Sequence, residues 1–156
     1  MKFTKFIDLD SKTLDVIINK HYNYWVKFNP LMDLEVTADK FKNLYAANRE
    51  VPFGIAMFED KILIGFCVFK KDNLENRYGL TPWIDGVMIF DEYRGKGYGN
   101  ILMKEALNQL TSLGYKTAYL WTDQAPDFYK KLGFEFVQII EKSEGGFGEL
   151  YSKELN

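Results

Sequence analysis

Apolar and polar positions along this chain form blocks whose period changes from one block to the next. Phe3–Asp8 reads as a first strand. Leu14, Ile17, Ile18, Trp25 and Phe28 then follow helical spacing, with Asp10 or Ser11 placed to cap the helix and Pro30 at or just beyond its end. Thr37 is placed to cap a second helix that carries Phe41, Leu44 and Tyr45 on one face. Two apolar runs, Phe53–Glu59 and Lys61–Lys70, meet at Asp60 in the pattern of a hairpin. The polar stretch Asp72–Thr81 reads as a loop leading into a strand over Trp83–Phe90. An amphipathic helix over Ile101–Leu113 follows, stopped by Gly114, then a strand over Ala118–Thr122. A short helix begins near Pro126 and is stopped by Gly133. Phe134–Ile140 and Gly148–Ser152 bracket the loop Ser143-Glu144-Gly145-Gly146-Phe147. No repeat or linker interrupts this order, so the expectation is a single domain over residues 1–156. Its class is α/β in the broad sense (α+β), a central mixed sheet flanked by helices.

One junction in this pattern carries chemistry. Arg94-Gly95-Lys96-Gly97-Tyr98-Gly99 lies between a strand and a helix. Glycines there allow unusual dihedrals and close approach of a ligand. A helix start adds unpaired N–H groups and the positive end of a dipole, which suit a phosphate. Spacing prunes the possible phosphate ligands. A P-loop requires G-x-x-x-x-G-K-[ST], but Lys96 is followed by Gly97 and lacks the upstream glycine. A dinucleotide fingerprint requires a third glycine where Asn100 stands, and it follows a first strand rather than several. The pattern left is R-x-x-G-x-G, on Arg94, Gly97 and Gly99. Taken alone, a glycine-rich surface turn without a ligand has the same appearance.

The hexad resembles the pyrophosphate-binding signature of the GNAT superfamily of acetyl-coenzyme A-dependent N-acetyltransferases. Pro82–Tyr93 resembles that family's fourth strand and the loop into the signature, and Ala118–Thr122 its fifth strand. Pro126-Asp127-Phe128-Tyr129-Lys130-Lys131-Leu132-Gly133-Phe134 is similar to its short helix ending in a YxKLGF-like run. The resemblance covers the chain from about Val51 onward. It departs at Thr122, where many relatives carry an asparagine that contacts the cofactor.

What the resemblance implies is specific. The sheet is expected to be mostly antiparallel, with strands four and five splayed apart. Arg94, Gly95, Lys96, Gly97, Tyr98, Gly99 and Asn100 are expected to hold the pyrophosphate of acetyl-coenzyme A. Val87, Met88 and Ile89 match the segment whose backbone pairs with pantetheine and polarises the thioester carbonyl, although their side chains equally suit sheet core. Tyr129 matches the residue that protonates the departing thiolate, and its ring equally suits packing of the short helix. The acceptor amine must lose a proton. Asp85 is the nearest acidic candidate for that step, for binding a cationic substrate, or for neither. Glu144 and Glu149 are weaker candidates.

Composition bounds the remaining choices. The 47% apolar and 17% aromatic content of 156 residues suits a real core and excludes disorder. Twenty basic against 22 acidic residues give a net charge of −2, so no overall cationic field attracts nucleic acid. No apolar run is long enough to span a membrane and the N-terminus lacks a secretory pattern, so a cytoplasmic protein is expected. Cys67, the sole cysteine, lies in an apolar strand and reads as core filler, so neither a disulfide nor a cysteine-rich metal site is expected. His21 is the sole histidine, which leaves zinc without its usual imidazoles and nucleophilic triads with one possible base. A structural role is the favoured reading for it, with substrate contact the alternative. The expected activity is direct acetyl transfer to a small amine or peptide amine by a monomer or homodimer, without a metal. Tyr22, Tyr24, Trp25 and Phe28 are candidates for the acceptor pocket. An acyl-coenzyme A-binding regulatory module with little catalysis is the alternative.

Overall fold

Strand residues alternate between two faces, and the central strands of this chain are apolar on both. In the computed structural model, which describes Met1–Asn156 throughout, that alternation sorts the core onto two sides of one sheet. Phe53, Ile55 and Met57 of β2 (Phe53–Glu59) join Cys67 and Phe69 of β3 (Ile62–Lys70) in one cluster. This cluster packs against Leu102, Met103, Ala106 and Leu110 of α3 (Tyr98–Ser112). Phe66, Val68 and Ala56 point the other way, toward Leu14, Ile17 and Ile18 of α1 (Ser11–Trp25) and toward Phe41 and Tyr45.

The full sheet runs β1-β2-β3-β4-β5-β7-β6, where β1 is Lys2–Lys5, β4 Trp83–Ile89, β5 Thr117–Thr122, β6 Glu135–Glu141 and β7 Phe147–Glu154. Every pairing is antiparallel except β4 with β5. That parallel pair holds at a single register position, Trp83 opposite Tyr119, and beyond it the strands part. The remaining helices are α2 (Leu34–Lys40), continued by a wider turn over Phe41–Tyr45, and α4 (Pro126–Lys131). No helix is long and apolar enough to cross a membrane.

Several boundaries differ from the sequence expectation, each for a local reason. The first strand stops at Lys5 because Phe6 turns inward through a short 3-10 segment and fills the space above Gly54. A Cβ on Gly54 would lie 2.3 Å from that ring. The second helix is capped by Asp33, whose carboxylate accepts from the Val36 N–H at 3.0 Å, and not by Thr37. Thr37 is buried inside the helix, where its hydroxyl donates to the Asp33 carbonyl. The helix after the glycine turn begins at Tyr98, three residues earlier than its apolar stripe indicates, because the stripe starts only where the helix meets the sheet. The polar loop before β4 is pinned by one apolar residue, Leu74, buried with Trp83, Ile140 and Leu150.

Gly65 sets how closely β3 and β4 approach. A Cβ there would lie 2.2 Å from the Met88 carbonyl oxygen, a backbone atom that cannot swing aside. Gly65→Ala is therefore expected to destabilise the fold by about 3 kcal/mol, at the upper part of the usual overpacking range. Urea unfolding should show this as a lowered midpoint. An unchanged midpoint would mean that β4 has slack at Met88.

Candidate active site

The parting of β4 from β5 leaves the β5-facing edge of β4 without a strand partner past Trp83. Unpaired backbone groups along an edge need partners from elsewhere. The edge is also reshaped from within. Val68 pairs with Asp85 and Phe66 with Met88, so Gly86 and Val87 together oppose Cys67 in a bulge. Gly86 adopts φ 57°, the left-handed conformation that such a bulge favours in glycine. The His21 ring lies close by, 3.4 Å from where a Gly86 Cβ would stand.

A cleft of about 670 Å³ opens along this edge. Asp85, Val87, Met88 and Ile89 line it from β4, and Arg94, Gly95, Gly97, Tyr98, Gly99 and Asn100 line it from the glycine turn. Tyr129 lines it from α4. The structure thus brings together every site residue expected from sequence except Lys96, which belongs to the turn but not to the cleft wall. Glu144 lies at the cleft, whereas Glu149 does not; its carboxylate accepts from the Tyr151 hydroxyl.

The turn's glycines have separate jobs. Gly95 and Gly97 have φ of 77° and 83°, and a Cβ on either would meet nothing within 4 Å. Gly97 is the N-cap of α3 and has no side chain to occupy the helix's first N–H groups, which therefore face outward unpaired. Gly99 is helical, and its missing Cβ makes room for the Phe128 ring at 3.2 Å. Arg94 is partly committed within the chain. Its Nε donates to the Ile89 carbonyl, its Nη1 lies 3.2 Å from Asp91, and its guanidinium stacks over the Tyr24 ring.

Electrostatics divide the titratable groups of the cleft. Lys70 Nζ lies 2.6 Å from Asp85 Oδ2, with both side chains about one-third exposed (31%). Burial works to raise the pKa of Asp85, but the Lys70 charge, its hydrogen bond and the Gly86 N–H outweigh it and hold the carboxyl below its ordinary value. Burial likewise opposes the charge on Lys70, and Asp85 reverses the balance so that its pKa is raised. Burial pushes Tyr129 upward, helped by the negative charge of Asp85. Burial also raises Cys67, which lies fully enclosed in the core.

His21 is driven down to about 4 by burial, with Lys70 and Lys40 adding repulsion and Asp85 opposing. It is therefore neutral near pH 7. Between its ordinary value near 6.5 and about 4, the unfolded chain binds a proton that the folded chain refuses. Stability should consequently fall as pH drops through that window, by about 2.5 kcal/mol at pH 4.5. Urea midpoints measured at pH 7 and pH 4.5 should show a smaller loss in His21→Gln than in the wild type. Equal losses would assign the acid sensitivity to other groups.

Three positions, Gly86, Lys70 and Gln124, were not singled out from the sequence as parts of the site. Gly86 had a legible signal, a lone glycine inside an apolar strand. Lys70 had none, because its pairing with Asp85 depends on the strand register. Thr122 replaces the family's asparagine with a different contact: its Oγ1 accepts from the Gln124 N–H at 3.3 Å and the Ala125 N–H at 3.1 Å, bracing the turn into α4. Gln124 in turn accepts from the Tyr24 hydroxyl at 3.0 Å, joining α1 to that turn across the cleft.

Comparison with known proteins agrees with this architecture. The model of the acetyltransferase (GNAT) family matches residues 18–134. The chain belongs to that family. Among curated relatives it is similar to the uncharacterized N-acetyltransferase CgeE of Bacillus subtilis (strain 168), 48% identical over 58 residues that make up 35% of this chain and 22% of that protein. It is also similar to the uncharacterized N-acetyltransferase ycf52 of Gracilaria tenuistipitata var. liui, 36% identical over 75 residues, 47% of this chain and 38% of that protein. The similarity therefore spans well under half the length of either relative. Among solved structures, an aminoglycoside 6'-N-acetyltransferase complexed with coenzyme A aligns over 99% of this chain and 97% of its own, with a TM-score of 0.76 and 18% identity. An N-acetyltransferase from Staphylococcus aureus Mu50 aligns over 99% and 98%, with a TM-score of 0.73 and 16% identity. At such identities the likeness is one of fold.

Proposed function

We propose that this protein transfers an acetyl group from acetyl-coenzyme A directly to a primary amine. The observation that carries the reading is the bare edge of β4, which shares one cleft with Tyr129 and with the uncapped start of α3. These features fit coenzyme A. The N–H groups at the start of α3 and the open space over Gly95 and Gly97 suit its pyrophosphate, and the unpaired edge at Val87–Ile89 suits its amide-bearing arm. When bound, acetyl-coenzyme A supplies an activated acetyl thioester.

The chain's own groups then have distinct roles. Backbone N–H donors of β4, fixed by pairing with β3, stabilise negative charge developing on the acyl oxygen. The Tyr129 hydroxyl keeps its proton until the leaving sulfur takes on charge, then donates it. Cys67 is sealed in the core and holds its thiol proton, so it is no acyl carrier, and transfer is direct. An ordinary alkylamine must give up its proton at a cost of about 4–5 kcal/mol at pH 7. The carboxylate of Asp85, already bound to Lys70, is a weak proton acceptor. Its charge steadies a cationic amine arriving in the cleft, and desolvation then favours loss of the ammonium proton to solvent water before the neutral amine attacks.

A panel of primary amines, with free thiol followed above background hydrolysis, tests the activity, and Asp85→Asn tests the assignment of the carboxylate. The substitution should raise the acceptor KM with a smaller change in kcat. Raising the pH should not rescue the variant preferentially. A fall confined to kcat and restored at high pH would instead make Asp85 the base.

A further inference from the structure

Three buried side-chain polar atoms in this chain have no hydrogen-bond partner: His21 Nδ1, Trp25 Nε1 and Trp121 Nε1. All three belong to residues that line the cleft. The remaining tryptophan supplies the contrast, since Trp83 lies away from the cleft and its indole donates to the Leu80 carbonyl at 2.6 Å. Buried polar groups are ordinarily paired, so three orphans on residues of one cavity's wall call for a polar partner from outside the chain, a ligand atom or a water. An indole N–H can only donate, so its missing partner is an acceptor atom.

The walls and charges of the cleft narrow the ligand further. Tyr24, Trp25 and Phe28 form a cluster with ring centroids 4.9–6.0 Å apart, and Trp121 faces the cavity from β5. Phe28 is half exposed (48%) with its ring centroid 6.0 Å from that of Trp25, so the outer edge of the aromatic cluster is open to an entering ring. Carboxylates are few and mostly committed. Asp85 is bound to Lys70, and Asp123 is bound to Lys142 at 2.7 Å. Glu144 is the one carboxylate of the cleft wall outside any ion pair. A polycation would bring several charges into a cavity that has few to answer them.

We propose that the acceptor is a small monoamine with a planar apolar body and a hydrogen-bond acceptor atom on that body, and that polyamines are poor substrates. The proposal rests on the acetyl-transfer reading of the same cleft. The aromatic wall receives the ring, an indole N–H meets its acceptor atom, and the single ammonium meets a carboxylate of the cleft wall, Asp85 or Glu144. Aromatic surfaces suit such a ligand because ring contacts add directional attraction to the burial of area.

The test compares 4-methoxyphenylethylamine, 2-phenylethylamine and spermidine as acceptors for the full chain saturated with acetyl-coenzyme A. The methoxy compound should exceed spermidine at least roughly tenfold in kcat/KM, and 2-phenylethylamine at least roughly threefold through its ether oxygen. Trp25→Leu and the exposed-site variant Phe28→Ala should each lower that selectivity while coenzyme A affinity holds. Spermidine matching or surpassing the aromatic amines would overturn the proposal and leave acetyl transfer standing. If none of the three is acetylated, tryptophan fluorescence of the coenzyme A-loaded protein decides. Saturable quenching by the methoxy compound that weakens in Phe28→Ala would uphold the aromatic subsite, and its absence would reject it.

Discussion

Tyr129→Phe should lower kcat by roughly 10- to 1,000-fold while leaving coenzyme A affinity nearly unchanged, the range expected when a general acid is removed and water substitutes in part. The substitution keeps the ring that packs edge-on to Phe128 at 5.0 Å and Phe134 at 5.9 Å, so α4 should hold its place. Only the proton donor is lost. Burial and the nearby charge of Asp85 raise the phenol above its ordinary value, so the hydroxyl stays protonated further into the alkaline range than a free tyrosine. The wild-type rate should therefore show no alkaline decline near pH 10 from this group. Single-turnover measurement isolates the chemical step. Near-normal turnover in the variant, with that step rate-limiting, would leave Tyr129 as a packing residue.

Gly97→Glu is the second large effect. The added side chain enters open space, since a Cβ at Gly97 meets nothing within 4 Å, but the residue must hold φ 83°. A carboxylate there would compete for the N–H groups at the start of α3 and repel a pyrophosphate. Coenzyme A affinity should fall at least tenfold, or about 1.4 kcal/mol. Gly97→Ala carries the same backbone strain without the charge and should lose less. Calorimetric titration separates the two, and unchanged affinity in Gly97→Glu would remove the turn from the binding site.

The sequence revealed those parts of the site that depend on local backbone. The glycine turn, the helix that follows it and the YxKLGF-like run are each a continuous segment, and Gly95, Gly97 and Gly133 mark conformations that few other residues adopt. Chain order alone gave the sheet as mixed, and the family resemblance supplied the parting of β4 and β5. The parts that depend on register stayed hidden. Lys70 meets Asp85 because β3 and β4 pair as they do, and no local pattern in either strand announces the contact. Similarly, Thr37 and Asp33 are both good capping residues, and only the buried position of Thr37 decides between them. Phe6 continues the apolar pattern of the first strand, yet it leaves that strand because Gly54, distant in sequence, makes a space for its ring. His21 shows the same limit. Helical spacing places it on α1, but its neutrality at pH 7 and its unpaired Nδ1 come from residues on other elements.

Amine-dependent acetyl transfer is the central claim, and mass spectrometry of the acceptor with parallel counting of free thiol tests it most directly. With wild-type protein, acetyl-coenzyme A and a primary amine, the account predicts a product one acetyl group heavier and one thiol released for each amine modified. The rate should scale with protein concentration and collapse in Tyr129→Phe. Tight acetyl-coenzyme A binding without acetylation of any amine above background hydrolysis would contradict the account and favour a coenzyme A-binding regulatory module.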